Sequence, residues 1–242
     1  TVGSYVTEIG AVIADLSGIP IYERAARAEE SEVRCPHPQA AEAMQHHIRE
    51  CMQSKDTLGG IFEVAALGVP PGLGSHVHWD RKIEGRLAQA IMSIHAIKGV
   101  EVGPAFENAR KLGTEVHDEI FLEGGRVTRR TNRAGGTEGG VTTGHPLLLR
   151  AAMKPISTTL NPLQTVDLAS GQPAPTTYER SDFCAVPRAA VVGEAMVALV
   201  IADELLRKLG GDSLPEMQPR FEALRSANLE DLPMDGESIV FW

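Results

Sequence analysis

Sixteen residues, Arg129 to Gly144 (RRTNRAGGTEGGVTTG), hold five glycines among three arginines. Ten residues further on comes KPIST, Lys154–Thr158, and then ERSDFCAVP, Glu179–Pro187. Glycine lets the backbone take turns with φ > 0 and approach a ligand closely. Arg129, Arg130, Arg133, Lys154 and Arg180 add cations whose hydrogen bonds to carboxylate or phosphate are charge-assisted. Together they read as a pocket for a small anion. The competing reading is a surface hairpin whose glycines serve turns and whose arginines are solvated.

Three other groups invite chemistry. His76 and His78, with Asp80 beside them, stand two apart on an extended segment and could share one face, as metal ligands must. No third ligand lies at a telling distance, so they read as polar loop residues and no metal is expected. In His117-Asp118-Glu119, adjacent strand side chains point to opposite faces, so the three cannot all converge; a cap or ion pair at a strand start is the default. Asp182 follows Arg180 by two residues, which in extended backbone puts both side chains on one face. That pair is either a proton acceptor with its guanidinium or a structural pair at a helix entry.

The elements that must position these groups are legible in outline. Val2–Ile9 reads as a strand, with a turn marked by Gly18 and Pro20 and a charged, irregular stretch from Glu23 to Pro38. After Pro38, Ala40, Met44, Ile48, Cys51 and Met52 recur at helical spacing and leave His46 and Arg49 to solvent. A strand is predicted over 60–68, an amphipathic helix over 81–97, and a short helix over 104–112 with Pro104 at its first position and Gly113 as its stop. Strands over 119–123 and 147–153 flank the glycine-rich loop. Pro187 opens a long helix to Leu209, stopped by Gly210 and Gly211. No 20–50-residue repeat stands out, and the tight βαβ period of a doubly wound sheet is missing. The predicted class is a layered α+β domain.

Composition bounds the function. The chain has 242 residues, 43% of them hydrophobic and only 5% aromatic, so Ala, Val, Ile and Leu must build its core. A formal charge of −9 argues against a nucleic-acid partner held by its phosphates. Cys35, Cys51 and Cys184 lack CxxC spacing and are odd in number, which suits reduced thiols in the cytoplasm. No apolar run approaches membrane-spanning length, so no membrane partner is expected.

The glycine-rich, KPIST and ERSDFCAVP blocks, in this order and spacing, resemble the carboxy-terminal half of chorismate synthase. GGIFEVAALGVPPGLGSHVHWDRKIEGRLAQAIMSIHAIKGVEVG at Gly59–Gly103, HDE at His117–Glu119 and RSDFCAVPRAAVVGEAM at Arg180–Met196 extend the match. It is strong from about Gly59 to Leu209 and looser at the flanks. The resemblance implies a β-α-β sandwich, with residues 1–242 as a single domain incomplete at its amino terminus. The family's GESHG-type block and serine–arginine-rich helix do not occur here, and the chain begins at Thr1 with no initiator Met. The expectation is that an upstream part belongs with it.

The resemblance further implies a lyase that eliminates phosphate from 5-enolpyruvylshikimate 3-phosphate to give chorismate, the last common step toward aromatic amino acids. Reduced FMN is the implied cofactor, with NADPH for flavin reduction in some members, and a homotetramer the implied assembly. Matched residue by residue, the flavin site would comprise His95, Ala96, Gly139, Lys154, Pro155, Ile156, Ser157, Thr158 and Arg180. Arg133 and Arg180 would hold substrate, and Asp182 would accept a proton near flavin N5. His95 departs from the Asn common at its position, which leaves its backbone as the contact. Because catalytic histidines and substrate arginines of the family lie in the unmatched blocks, these residues alone are expected to bind flavin poorly and turn over negligibly. Two alternatives are an inactive binding or oligomerisation protein and a metal-dependent hydrolase using His76, His78 and His117.

Overall fold

The computed structural model describes residues 1–179 and 182–226. In chain order the elements are β1 (Val2–Ile9), β2 (Val12–Ile13), α1 (Ile21–Glu29), α2 (Pro38–Gln53), β3 (Gly60–Ala66), α3 (Ile83–Met92) and β4 (Ile97–Val102). There follow α4 (Ala105–Asn108), α5 (Gly113–Val116), β5 (Ile120–Glu123), β6 (Arg126–Arg129), β7 (Thr137–Glu138), β8 (Val141–Thr142) and β9 (Leu147–Met153). The rest are β10 (Gln164–Asp167), β11 (Gln172–Pro175), α6 (Val186–Leu209) and α7 (Leu214–Ser226).

The centre is a five-stranded sheet of order β2-β1-β3-β9-β4, antiparallel at every pairing. Its inner face packs on α6, which lies against β1 and β3, with α3 beside it over β4. β9 shows why the sequence folds this way. Leu147, Leu149 and Ala151 are buried toward the helices, while Leu148, Arg150 and Ala152 alternate to the other face. Phe62 and Val64 of β3 meet α6 at Gly193, where an added Cβ would lie 2.7 Å from Phe62 Cε2. Glycine there lets the helix sit closer to the sheet than any other residue would.

On the outer face, α1 covers β1, and Gly3 gives it room: a Cβ there would stand 2.4 Å from Ala25 Cβ. A polar row crosses four strands on this face. Tyr5 pairs in register with Glu63, Glu63 with Arg150, and Arg150 with Glu101. Burial pushes the Glu63 carboxyl up, and the cations of Arg150 and Arg24 work against that rise.

Several expectations need correction. The charged stretch from Glu23 to Pro38 contains most of α1. The helix predicted over 81–97 ends at Met92, and Ile97 starts β4 instead. The helix predicted over 104–112 is a single turn capped by Pro104, and Gly113 opens α5 rather than stopping a helix. β1, the α2 helix, β9 and the long α6 lie where the sequence places them.

α6 is apolar on both sides. Val192, Leu199 and Leu206 fall on its outward face, 48%, 64% and 53% exposed, with Ala195 and Ala202 between them. A helix with apolar residues all round belongs to a middle layer. Among the described residues the five-stranded sheet lies on the other side of α6, three two-stranded hairpins make up the remaining sheets, and the outward face stays exposed.

Candidate functional site

Three sequence blocks meet at one end of the central sheet. β9 ends at Met153, whose partner is Ile97, and the next N–H, that of Lys154, donates to the Ala96 carbonyl at 2.9 Å. Ala96 holds φ +67°, an uncommon backbone for a non-glycine residue, so the His95–Ala96 turn is tight. Thr57 Oγ1 donates to the Ile156 carbonyl at 2.6 Å and fixes the middle of KPIST. The N–H of Leu58 donates to the Phe183 carbonyl at 2.7 Å, and Leu58 bridges Cys184 in parallel. The segment that leads into β3 therefore ties the entry of α6 to the same end. His95, Ala96, Lys154–Thr158 and the Asp182–Cys184 segment thus share one edge.

The side chains on that edge are open to solvent. His95, Lys154, Pro155 and Ser157 are exposed, and Ile156 and Thr158 are half-buried. Lys154 has no carboxylate partner among the described residues, so its ammonium is available to an anion. Asp182 is bonded to Arg188 in the first turn of α6. Arg180, and with it the predicted Arg180–Asp182 pair, lies outside the described residues; the helix-entry pair in the structure is Asp182 with Arg188.

The glycine-rich loop is elsewhere. β7 and β8 form a hairpin whose Gly140 carbonyl accepts the N–H of Ile83, and Gly74 bridges Val141. Gly103 donates to Leu148 near the start of β9, and Gly135 is wedged against it. Gly139 therefore lies at the Leu147 end of β9 and Lys154 at the Met153 end, about 20 Å of strand apart at roughly 3.3 Å per residue. The expectation that loop arginines and Lys154 surround one anion is corrected: within one chain they belong to two surfaces.

The loop arginines are also engaged. Arg129 pairs with Glu138 at 2.8 Å, and Arg130 with Glu123 at 3.2 Å while stacking on Phe121. Arg133 stands 3.7 Å from Glu107. The loop is organised by Asp118, whose buried carboxylate accepts Thr131 Oγ1 at 2.6 Å, Arg133 N–H at 2.8 Å and Ala134 N–H at 2.9 Å. Burial opposes its charge, but these donors and the Arg129 cation outweigh burial and hold the carboxyl below the usual range. Burial first, and then Arg129, push the neighbouring His145 imidazole down toward its neutral form.

Asp118 is the member of the HDE block that converges on something, and it is a loop anchor rather than the strand-start cap or ion pair expected. Thr57 gave no sequence signal, since its partner Ile156 is 99 residues away. His76, His78 and His117 are exposed, and among the described residues no group of three or more His, Cys, Asp and Glu is placed to hold a metal ion. The three cysteines are free thiols. No described helix is long and apolar enough to cross a membrane.

A family model for chorismate synthase matches residues 1–206. The chain belongs to the chorismate synthase family. It is 53% identical over 220 residues to chorismate synthase of Acidothermus cellulolyticus, covering 91% of this chain and 56% of that protein. Chorismate synthase of Aquifex aeolicus is 55% identical over 197 residues, covering 81% of this chain and 50% of the relative. A crystal structure of chorismate synthase superposes with a TM-score of 0.78 at 46% identity, covering 92% of this chain and 62% of that one. The chain thus spans about half the length of the curated relatives it matches. The α+β class expected from sequence agrees with the solved relative's fold.

Proposed function

We propose that this chain forms the carboxy-terminal part of a chorismate synthase, a lyase that eliminates phosphate from 5-enolpyruvylshikimate 3-phosphate to yield chorismate with reduced FMN as cofactor. The observation that carries this reading is the convergence of Ala96, Lys154–Thr158 and Asp182–Cys184 on one sheet end, in a chain of this family.

The residues at that end fit a flavin. Lys154 has no carboxylate partner among the described residues, Ser157 presents an exposed hydroxyl, and the Ala96 turn is fixed by its bond to Lys154. Lys154, Pro155, Ile156, Ser157 and Thr158, with the His95–Ala96 backbone and Arg180, would hold the flavin. Bound reduced flavin would supply electron density as the C–O bond breaks. Asp182, oriented by Arg188, would accept the proton lost from the substrate, and Arg180 and Arg133 would bind its anionic groups. Because Gly139 and Lys154 of one chain lie at opposite ends of β9, a single flavin that touches both is shared between two copies. That is consistent with the homotetramer the resemblance implies. NADPH for flavin reduction and a cytoplasmic location complete the reading.

The deciding experiment is an anaerobic assay of chorismate formation with and without reduced FMN, on this chain and on the product of the complete reading frame that encodes it. Flavin-dependent product from the latter, with negligible turnover by residues 1–242 alone, is expected. No product from folded, flavin-supplied protein overturns the proposal in favour of a binding or oligomerisation role.

A further inference from the structure

Beside the β7–β8 hairpin, the C-terminal end of α6 and the loop before α3 border an open pocket of about 260 Å³ lined by Gly74, Ser75, Arg81, Glu204, Arg207 and Lys208. Three of these six residues are cations, in a chain whose formal charge is −9. Arg81 and Lys208 have no carboxylate partner among the described residues. Arg207 is 3.1 Å from Asp203, and Glu204 is taken up by Arg86, which also holds Asp203 at 2.6 Å. Counting Arg81, Arg86, Arg207 and Lys208 against Asp203 and Glu204, four positive and two negative groups leave a local excess of two positive charges.

The backbone that carries Arg81 is fixed to the hairpin. Ser75 N–H donates to the Arg81 carbonyl at 3.0 Å, which closes the loop carrying both residues. Gly74 has φ +94°, and a Cβ there would stand 2.5 Å from the Gly140 carbonyl, so the loop is seated directly on the hairpin. Lys208 also lies in the last turn of α6, where a cation offsets the helix dipole. Arg81 has no such task, and it faces the same space from a separate element.

We propose that this pocket binds a phosphate group, as the free dianion or as the monoester of a small organic acid. A dianion matches the local excess of two positive charges, and Arg81 can engage phosphate oxygens through a bidentate fork. The volume lies below the roughly 300–1,000 Å³ of drug-sized ligand pockets. It is large enough for a phosphate group with a short carbon skeleton, and its open side leaves the organic part toward solvent.

The test is a thermal-shift and calorimetric titration of the chain with inorganic phosphate and with phenyl phosphate, at constant ionic strength against chloride. Saturable binding of phosphate is expected, weakened at least tenfold by Arg81→Ala and, independently, by Lys208→Ala. Lys98→Ala, which removes an exposed cation from β4, should leave it unchanged. Equal binding of phenyl phosphate points to a monoester, and its exclusion to free phosphate. Non-saturable binding, or equal losses in all three variants, overturns the proposal. No turnover is measured, so the outcome is separate from that of the elimination assay.

Discussion

Lys154 donates its N–H to Ala96 at 2.9 Å, and Ala96 holds a left-handed backbone with φ +67° to receive it. The turn that ends in β4 and the segment that leaves β9 are therefore locked together by one bond at the candidate site. A left-handed alanine costs roughly 1–2 kcal/mol in backbone sterics, against roughly 0.5–1 kcal/mol for the extra freedom glycine loses on folding. Ala96→Gly is expected to be neutral to stabilising, by no more than about 1 kcal/mol. Ala96→Val, with a β-branched side chain at the same φ, is expected to destabilise and to speed amide exchange at Lys154. Urea denaturation of both variants checks the signs.

Asp118 gives a pH signature. Its folded carboxyl is held below the unfolded value by Thr131, Ala134, Arg133 and Arg129 despite burial. The stability it contributes is thus fully present above the unfolded carboxyl pKa of roughly 4 and is lost as pH falls through the lower folded value. Asp118→Asn keeps the shape but cannot accept three bonds as a charged group, and should cost about 1–3 kcal/mol at pH 7. The gap between wild type and variant should narrow below pH 4. A gap independent of pH would show that the carboxylate's charge is not what holds the loop.

What was legible from sequence is uneven for physical reasons. β9 and α2 announce themselves because their buried residues repeat at the spacing of their own secondary structure, Leu147-Leu149-Ala151 in one and Ala40-Met44-Cys51 in the other. The end of α3 is hidden because Ile94 and Ile97 continue the helical spacing past Met92, and the turn before β4 is made by Ala96 rather than by a glycine. α1 is hidden because Ala28 is its one fully buried residue and most of its surface is charged or half-exposed. Charge and spacing mark KPIST and Asp182 and resemblance adds His95–Ala96, but their meeting depends on Thr57 and Leu58. Neither has an unusual residue type or spacing. The separation of Gly139 from Lys154 follows from a strand that the sequence shows plainly, but only the order of strands in the sheet says which end each block occupies.

The two sides of α6 should respond differently to substitution. Gly193→Ala drives a methyl into Phe62, which is fully buried, and overpacking of this kind costs about 1–3 kcal/mol. Leu199→Glu, on the outward face at 64% exposure, should leave the stability of the isolated chain within about 0.5 kcal/mol. Chemical denaturation of the two variants in parallel measures the contrast. A large loss in Leu199→Glu would mean that the outward face is covered in solution, either by a second copy or by another segment, and sedimentation of the wild type would then tell which.

Arg86 joins α3 to α6 by holding Asp203 at 2.6 Å and Glu204 beside it, and the two acids differ in what they lose without it. Asp203 is half open to water and keeps Arg207 at 3.1 Å, so its charge remains compensated. Glu204 is only 5% exposed and pairs with no other cation among the described residues, so Arg86→Ala strands a buried carboxylate. Breaking a buried pair from one side costs about 3–5 kcal/mol, most of it the penalty on the partner left behind. Arg86→Ala should therefore destabilise strongly at pH 7, and adding Glu204→Gln to it should recover a substantial part of the loss. A double-mutant cycle by denaturant unfolding reads this directly. If Glu204→Gln recovers nothing, the helix junction rests on the Arg86 packing stem rather than on its charge.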